Sequence, residues 1–119
     1  MTAYRLTQSA SDDIRSILAW SQDQFGDQAR QRYEALLVAA IRDVASGERM
    51  TRRRPRPELG DGIFSWHLAQ SRSTSTAGLV RRPRHFLICR MEAAVLVIGR
   101  VLHEAMELRQ HLASEDTRQ

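Results

Sequence analysis

Between residues 10 and 44, apolar side chains recur every three or four positions, the period of a helix with one buried stripe. Ala10, Ile14, Ile17, Leu18, Ser21 and Phe25 trace one stripe, with Trp20 beside it. Gly26 follows, a residue suited to end a helix because it adopts positive φ without penalty. Ser9 and Ser11 are the candidate N-caps, and Asp12 and Asp13 fall in the first turn, where the helix dipole favours acids. Asp27 is the candidate N-cap of a second run in which Ala29, Tyr33, Leu36, Leu37, Ala40, Ile41 and Val44 share a face, and Gly47 closes it. The intervening FGD (25–27) is too short to separate the helices, so the pattern predicts an antiparallel helical hairpin.

Around the hairpin the period changes. AYRLT (3–7) alternates like a short strand, and IFSWHLA (63–69) reads as a second. RHFLICR (84–90) and VLVIGRVL (95–102) form a β-hairpin pattern about MEAA (91–94). Residues 48–62, with two prolines, two glycines and five arginines, are predicted as a loop. Residues 71–83, Ser/Thr-rich and then basic, are expected to form a mobile loop. IGRVLHEAMELRQHL (98–112) is predicted to pass from a strand end into a short helix, and 113–119 to be a disordered tail. The predicted order is β-α-α-β-β-β plus a short C-terminal helix. That is a single α+β domain over 1–119, with the helical hairpin packed on a small, mainly antiparallel sheet.

Composition narrows the setting. No apolar run approaches the ~18 residues of a spanning helix, and the N-terminus lacks the regions of a secretory signal. The single cysteine, Cys89, permits no internal disulfide. Together these point to a reduced, cytoplasmic setting without membrane contact. All 18 basic residues are Arg, with no Lys, so no side-chain amine is present to act as a base. Residues 49–90 hold ten Arg against Glu58 and Asp61, whereas both flanking segments are net acidic. A basic middle of this kind suits an anionic partner, either nucleic acid or an acidic protein.

Four kinds of chemistry are candidates. His103, Glu107 and His111 have helical spacing and are possible zinc ligands, but His103–Glu107 reads HExxE rather than HExxH, and no metal is assigned. No nucleophile elbow and no Walker-type loop is present. RNA cleavage needs a base, an acid and cations on the phosphate; His67, His85 and His103 are candidates for the first two roles, and Arg84, Arg90 and Arg100 for the third. Two basic segments, Arg52–Arg54 and Arg81, Arg82 and Arg84, are candidates to meet phosphates or acids. Trp20, Phe64, Trp66 and Leu68 are candidates to line an apolar partner groove, whereas Tyr33 is assigned to the core.

The series SASDDIRSILAW, FGDQARQRYEALLVAAI, PRHFLICR and IGRVLHEAMELRQHL resembles the ParE branch of the RelE/ParE toxins of type II toxin–antitoxin systems. Members tend to read FG…QA…Y…L at the helical hairpin, H…YR on a strand and I.RVLH..MD…HL at the end. The likeness runs from about residue 3 to 112. Cys89 stands where the strand motif usually has Tyr, Glu107 stands for Asp, and the 71–83 loop is longer than in many members.

The resemblance implies a cytoplasmic bacterial toxin without a cofactor, held in a hetero-oligomer by a cognate antitoxin, often of the ribbon-helix-helix type. ParE-type toxins stall DNA gyrase on cleaved DNA without being catalysts, and meet DNA indirectly through gyrase or antitoxin. On that reading Arg52, Arg53, Arg54, Arg81, Arg82, Arg84, Arg90 and Arg100 are the gyrase/DNA-contact candidates. Trp20, Phe64, Trp66 and Leu68 are the antitoxin-contact candidates. The alternative is a RelE-like, ribosome-dependent mRNA endonuclease using Arg84, His85, Arg90, Arg100 and His103. RelE-type enzymes mostly use Lys, Arg and a late Tyr, and this chain has only Tyr4 and Tyr33 and no Lys. A third class is a non-toxic remnant that binds antitoxin or DNA.

Overall fold

The computed structural model describes residues 2–76, 78 and 80–106. Strand β1 (Ala3–Leu6) leads directly into α1 (Gln8–Phe25), and α2 (Asp27–Ser46) returns beside it. Thr7 is the N-cap of α1: its Oγ1 accepts the Ala10 N–H at 3.1 Å and donates to the Gly99 carbonyl at 2.7 Å. The helix therefore starts ahead of Ser9 and Ser11, and Asp12 and Asp13 lie beyond its first turn. Gly26 caps both helices, closing α1 and preceding α2, so Asp27 is the first residue of α2 and not its cap. Gly47 ends α2 in the left-handed conformation, the usual glycine role at that position.

A five-stranded sheet forms the second layer, in the order β1-β5-β4-β3-β2. Its members are β2 (Arg54–Pro55), β3 (Phe64–His67), β4 (His85–Glu92) and β5 (Val95–His103), with β1 at one edge. Only β1 runs parallel to its neighbour, β5, and the remaining pairs are antiparallel. The α+β class and the mainly antiparallel sheet agree with the sequence pattern. The extra strand β2 and two 3-10 turns, Met50–Arg52 and Pro57–Leu59, occupy the segment predicted as loop.

The predicted 71–83 loop also holds structure. A 3-10 segment, Leu68–Thr74, packs on α2, and within it Ser71 is fully buried. The cause is a buried indole: Trp66 Nε1 donates to Ser71 Oγ at 2.9 Å, and an indole N–H out of water needs an acceptor. At the C-terminal end a 3-10 turn, Glu104–Met106, follows β5 directly. The rest of the predicted terminal helix and the 113–119 tail lie outside the described residues.

Between the layers sits one apolar cluster. Ala10 and Leu18 of α1 and Leu36, Leu37, Ala40, Ile41 and Val44 of α2 meet Trp66, Leu87, Cys89, Leu96, Ile98 and Val101 of the sheet. Each fully buried large side chain of this kind contributes about 1.5–3 kcal/mol. The β4–β5 hairpin turns through Ala93 and Ala94 and carries a register shift at Ile88/Cys89. Before the shift Cys89 pairs with Ile98, and after it Ile88 pairs with Arg100, so Gly99 is the extra residue. One inserted residue exchanges the two faces of every position beyond it. It sets His103 opposite His85, on the helix side of the sheet, and sends Leu102 to the other face.

Candidate functional site

The bulge gathers a polar cluster where β3 and β5 end and β4 begins, beside α2. The His85 and His103 rings meet edge to face, with centroids 4.9 Å apart. Tyr33, from the middle of α2, places its Oη 2.5 Å from His85 Nδ1. The Arg84 amide donates to that same oxygen at 3.3 Å, which leaves the phenolic hydrogen free to donate to His85. Burial pushes Tyr33 up to about 12, so it remains protonated. Burial, and then the neighbouring His103 and His67, pull His85 down to about 4, so this imidazole is neutral at physiological pH.

His67 and His103 are fixed in the same way. His67 Nδ1 accepts the Ala69 amide at 3.1 Å, and His103 Nδ1 accepts the Ala105 amide at 2.9 Å. In a neutral imidazole with Nδ1 accepting, the hydrogen sits on Nε2. His67 Nε2 accordingly faces Glu104 Oε2 at 2.9 Å. Arg84 Nη1 holds the other carboxylate oxygen at 2.9 Å. These two partners draw Glu104 below the usual carboxylate range. His67 and His103 have therefore each spent a lone pair inside the fold, His85 Nδ1 is engaged by Tyr33, and the Glu104 carboxylate is clamped from both sides.

Sequence spacing had grouped His103 with Glu107 and His111, but His103 is the last residue of a strand. His103 is therefore not itself part of a helix, and Glu107 and His111 lie outside the described residues. Among the described residues no group of three or more His, Cys, Asp or Glu is placed to hold a metal ion. Cys89 is buried in the core, which pushes its thiol up to about 12 and suppresses the reactive thiolate.

The eight arginines singled out from sequence separate into two sets. Arg84 pairs with Glu104 and Arg90 with Glu92, which also meets Arg5. Arg100 is held by both oxygens of Asp13, at 2.8 and 3.2 Å. Arg53 donates to the Val44 carbonyl at the C-terminal end of α2 and lies 4.4 Å over the Phe64 ring, so it serves the fold. Arg52 donates to the Gln70 carbonyl. Arg52, Arg54, Arg81 and Arg82 are exposed and, among the described residues, have no carboxylate partner.

The apolar candidates also divide. Trp20 is 57% exposed and packs edge to face on the exposed Phe25 at the tip of the helical hairpin. Phe64, Trp66 and Leu68 are core residues, with Trp66 and Leu68 at 1% and 0% exposure, and present no surface to a partner. Alternation along β3 and the turn that follows explains why: Phe64 and Trp66 face the helices, and the 3-10 segment folds Leu68 under. A surface groove of about 450 Å³ instead lies between α2 and residues 74–76, lined by Ala35, Val38 and Ala39 together with Glu34, Arg42 and Asp43.

Tyr33, Asp13 and Glu104 were not singled out from sequence for these contacts. Their partners are separated from them by 20 to 88 residues, and no local spacing signals such a pair. Gly99 within a strand is the one local sign, because glycine inside a strand marks a bulge.

Comparison with known proteins agrees with this architecture. A family model described as the ParE toxin of the type II toxin–antitoxin system parDE matches residues 4–108. The toxin ParE of Escherichia coli is 30% identical over 115 residues, covering 95% of either chain. A solved chain of the chromosomal ParDE system from P. aeruginosa superposes with a TM-score of 0.62. It covers 87% of this chain and 96% of that one, at 14% identity, a likeness of fold.

Proposed function

The chain belongs to the ParE toxin family of type II toxin–antitoxin systems, and from that membership we propose that it arrests growth by binding DNA gyrase and stalling it on cleaved DNA. One observation carries the choice of binding over catalysis. His67 and His103 use Nδ1 as an internal acceptor, so as neutral rings they keep no lone pair to take a substrate proton, and His85 Nδ1 is engaged by Tyr33. Glu104, bonded to His67 and Arg84, is a weakened base. An inhibitor that works by docking needs only surface, and the uncompensated arginines supply it.

As a toxin of a type II system the protein has an antitoxin for a partner. We assign that contact to the helical hairpin, where Trp20 and Phe25 at its tip and Val38 in the groove on α2 are apolar and open to solvent. An amphipathic segment of an antitoxin, one of the ribbon-helix-helix type on this reading, would lay its apolar side there.

The runner-up is ribosome-dependent mRNA cleavage, favoured by the convergence of His67, His85, His103 and Arg84. Two assays on the purified toxin separate the readings: supercoiling and cleavage by gyrase, and mRNA cleavage on stalled ribosomes. Inhibition in the first with none in the second supports gyrase. The reverse result, abolished by His103→Gln with folding retained, establishes the nuclease.

A further inference from the structure

Four arginines from three separate stretches of sequence converge on the 3-10 segment Leu68–Thr74. Arg52 Nη1 donates to the Gln70 carbonyl at 3.2 Å, and Arg72 Nη1 donates to the Arg81 carbonyl at 2.8 Å. Gln70 and Arg72 are both on that segment, which brings the two basic loops to one surface, with Arg82 adjoining Arg81. All four arginines are exposed. The Arg52 and Arg72 guanidinium groups bond neutral carbonyls and are held in place while keeping their full charge, and Arg81 and Arg82 have no carboxylate partner among the described residues, unlike Arg84, Arg90 and Arg100. Asp43, the acid packed against this segment, is taken by Thr74 Oγ1 at 2.8 Å. Exposed hydroxyls, Thr51, Ser73 and Thr76, lie on the same stretches.

We infer that Arg52, Arg72, Arg81 and Arg82 form a direct docking surface for the phosphate backbone of duplex DNA. This deepens the gyrase reading and rests on it for its biological setting. Guanidinium groups and hydroxyls are the usual side-chain donors to phosphate oxygens, and such contacts read no sequence. Duplex is favoured over a single strand by what the surface lacks. Single-stranded nucleic acid is held largely by bases stacked on aromatic rings, and the exposed aromatics here, Tyr4, Trp20 and Phe25, belong to β1 and the far tip of α1. An acidic protein would be met equally well by charge, and is an outcome of the test.

The test needs no gyrase. A fluorescently labelled, mixed-sequence 20-base-pair duplex is titrated with the full-length toxin at several salt concentrations, and anisotropy is read. Four phosphate contacts give a log–log salt slope of about −3.6, so that binding weakens about 100-fold between 50 and 200 mM salt. Arg81→Gln with Arg82→Gln lowers the slope by about 2, while Arg81→Lys with Arg82→Lys retains it. Removing the same charge from the helical hairpin, by Arg15→Gln with Arg30→Gln, leaves the slope unchanged. No binding at 50 mM salt overturns the inference, and so does an equal loss in the hairpin variant or tighter binding to single-stranded RNA than to duplex. Capture of an acidic protein with no DNA binding also overturns it. Gyrase inhibition that persists without DNA binding removes this inference alone. DNA binding without any effect on gyrase leaves the surface standing and removes the gyrase reading.

Discussion

Asp13 grips Arg100 with both carboxylate oxygens, at 2.8 and 3.2 Å, across 87 residues of sequence. The same carboxylate accepts the Val101 amide at 2.9 Å. Strand β1 stops pairing with β5 at Ile98, so beyond that point β5 has an open edge. Thr7 and Asp13 fill it from α1, and the N-terminal end of the helix is thereby fastened to the sheet. Asp13→Ala removes the acceptor of an ion pair and of an edge amide. It is expected to lower stability by about 1–3 kcal/mol in urea denaturation. Arg100→Gln should cost less, because its side chain is 35% exposed, and a double-mutant cycle should give a coupling above about 0.5 kcal/mol.

Acid sensitivity should trace to His85. The unfolded chain protonates this ring near 6.5, the folded one near 4. Between those values the unfolded state binds more protons, so stability falls as pH is lowered through the window and is unaffected by this group above it. The loss reaches about 3 kcal/mol at the acid limit. Denaturation at pH 7 and pH 4.5 should show a smaller difference in His85→Gln than in the unaltered protein. An NMR titration of His85 that ends near 6.5 would remove the basis of this expectation.

Ser71 should matter more than its small size suggests. Ser71→Ala strands the Trp66 indole N–H in the core and is expected to cost about 1–3 kcal/mol. Pairing it with Trp66→Phe, which removes the donor too, should cost less than the two single changes added together. Strict additivity in thermal or chemical unfolding would mean the bond contributes nothing.

The helical hairpin was legible because its stripe repeats at the helical period and its stops, Gly26 and Gly47, are glycines at the ends. The β4–β5 hairpin was legible for the same kind of local reason. What escaped the sequence was whatever depends on distant partners. The parallel docking of β1 on β5 joins the two ends of the chain. The 3-10 segment at 68–74 looks polar in sequence and is held by one buried indole. The grouping of His85 with His103 follows from a bulge at Gly99 that shifts register by one. The arginines read as one basic set divide only when carboxylates are placed beside some of them.

The β4–β5 turn offers a gain in stability. Ala93 has φ of +55°, a conformation that costs a residue with a Cβ about 1–2 kcal/mol. It occupies the first central position of a two-residue hairpin turn, a site where glycine is preferred if only that residue has positive φ. Ala93→Gly should raise the midpoint of chemical denaturation, less the entropy that glycine adds to the unfolded chain. A lower midpoint would show that the strain at Ala93 is not present in solution.

On the proposed reading this toxin acts on gyrase as a bound inhibitor. The most direct test of that action is a titration of purified toxin into a fixed amount of gyrase and supercoiled plasmid, reading linearised DNA after protein denaturation. Linear DNA that accumulates with toxin and saturates near stoichiometric toxin and gyrase is the predicted result. Unchanged gyrase products at a large molar excess of active, folded toxin would contradict it.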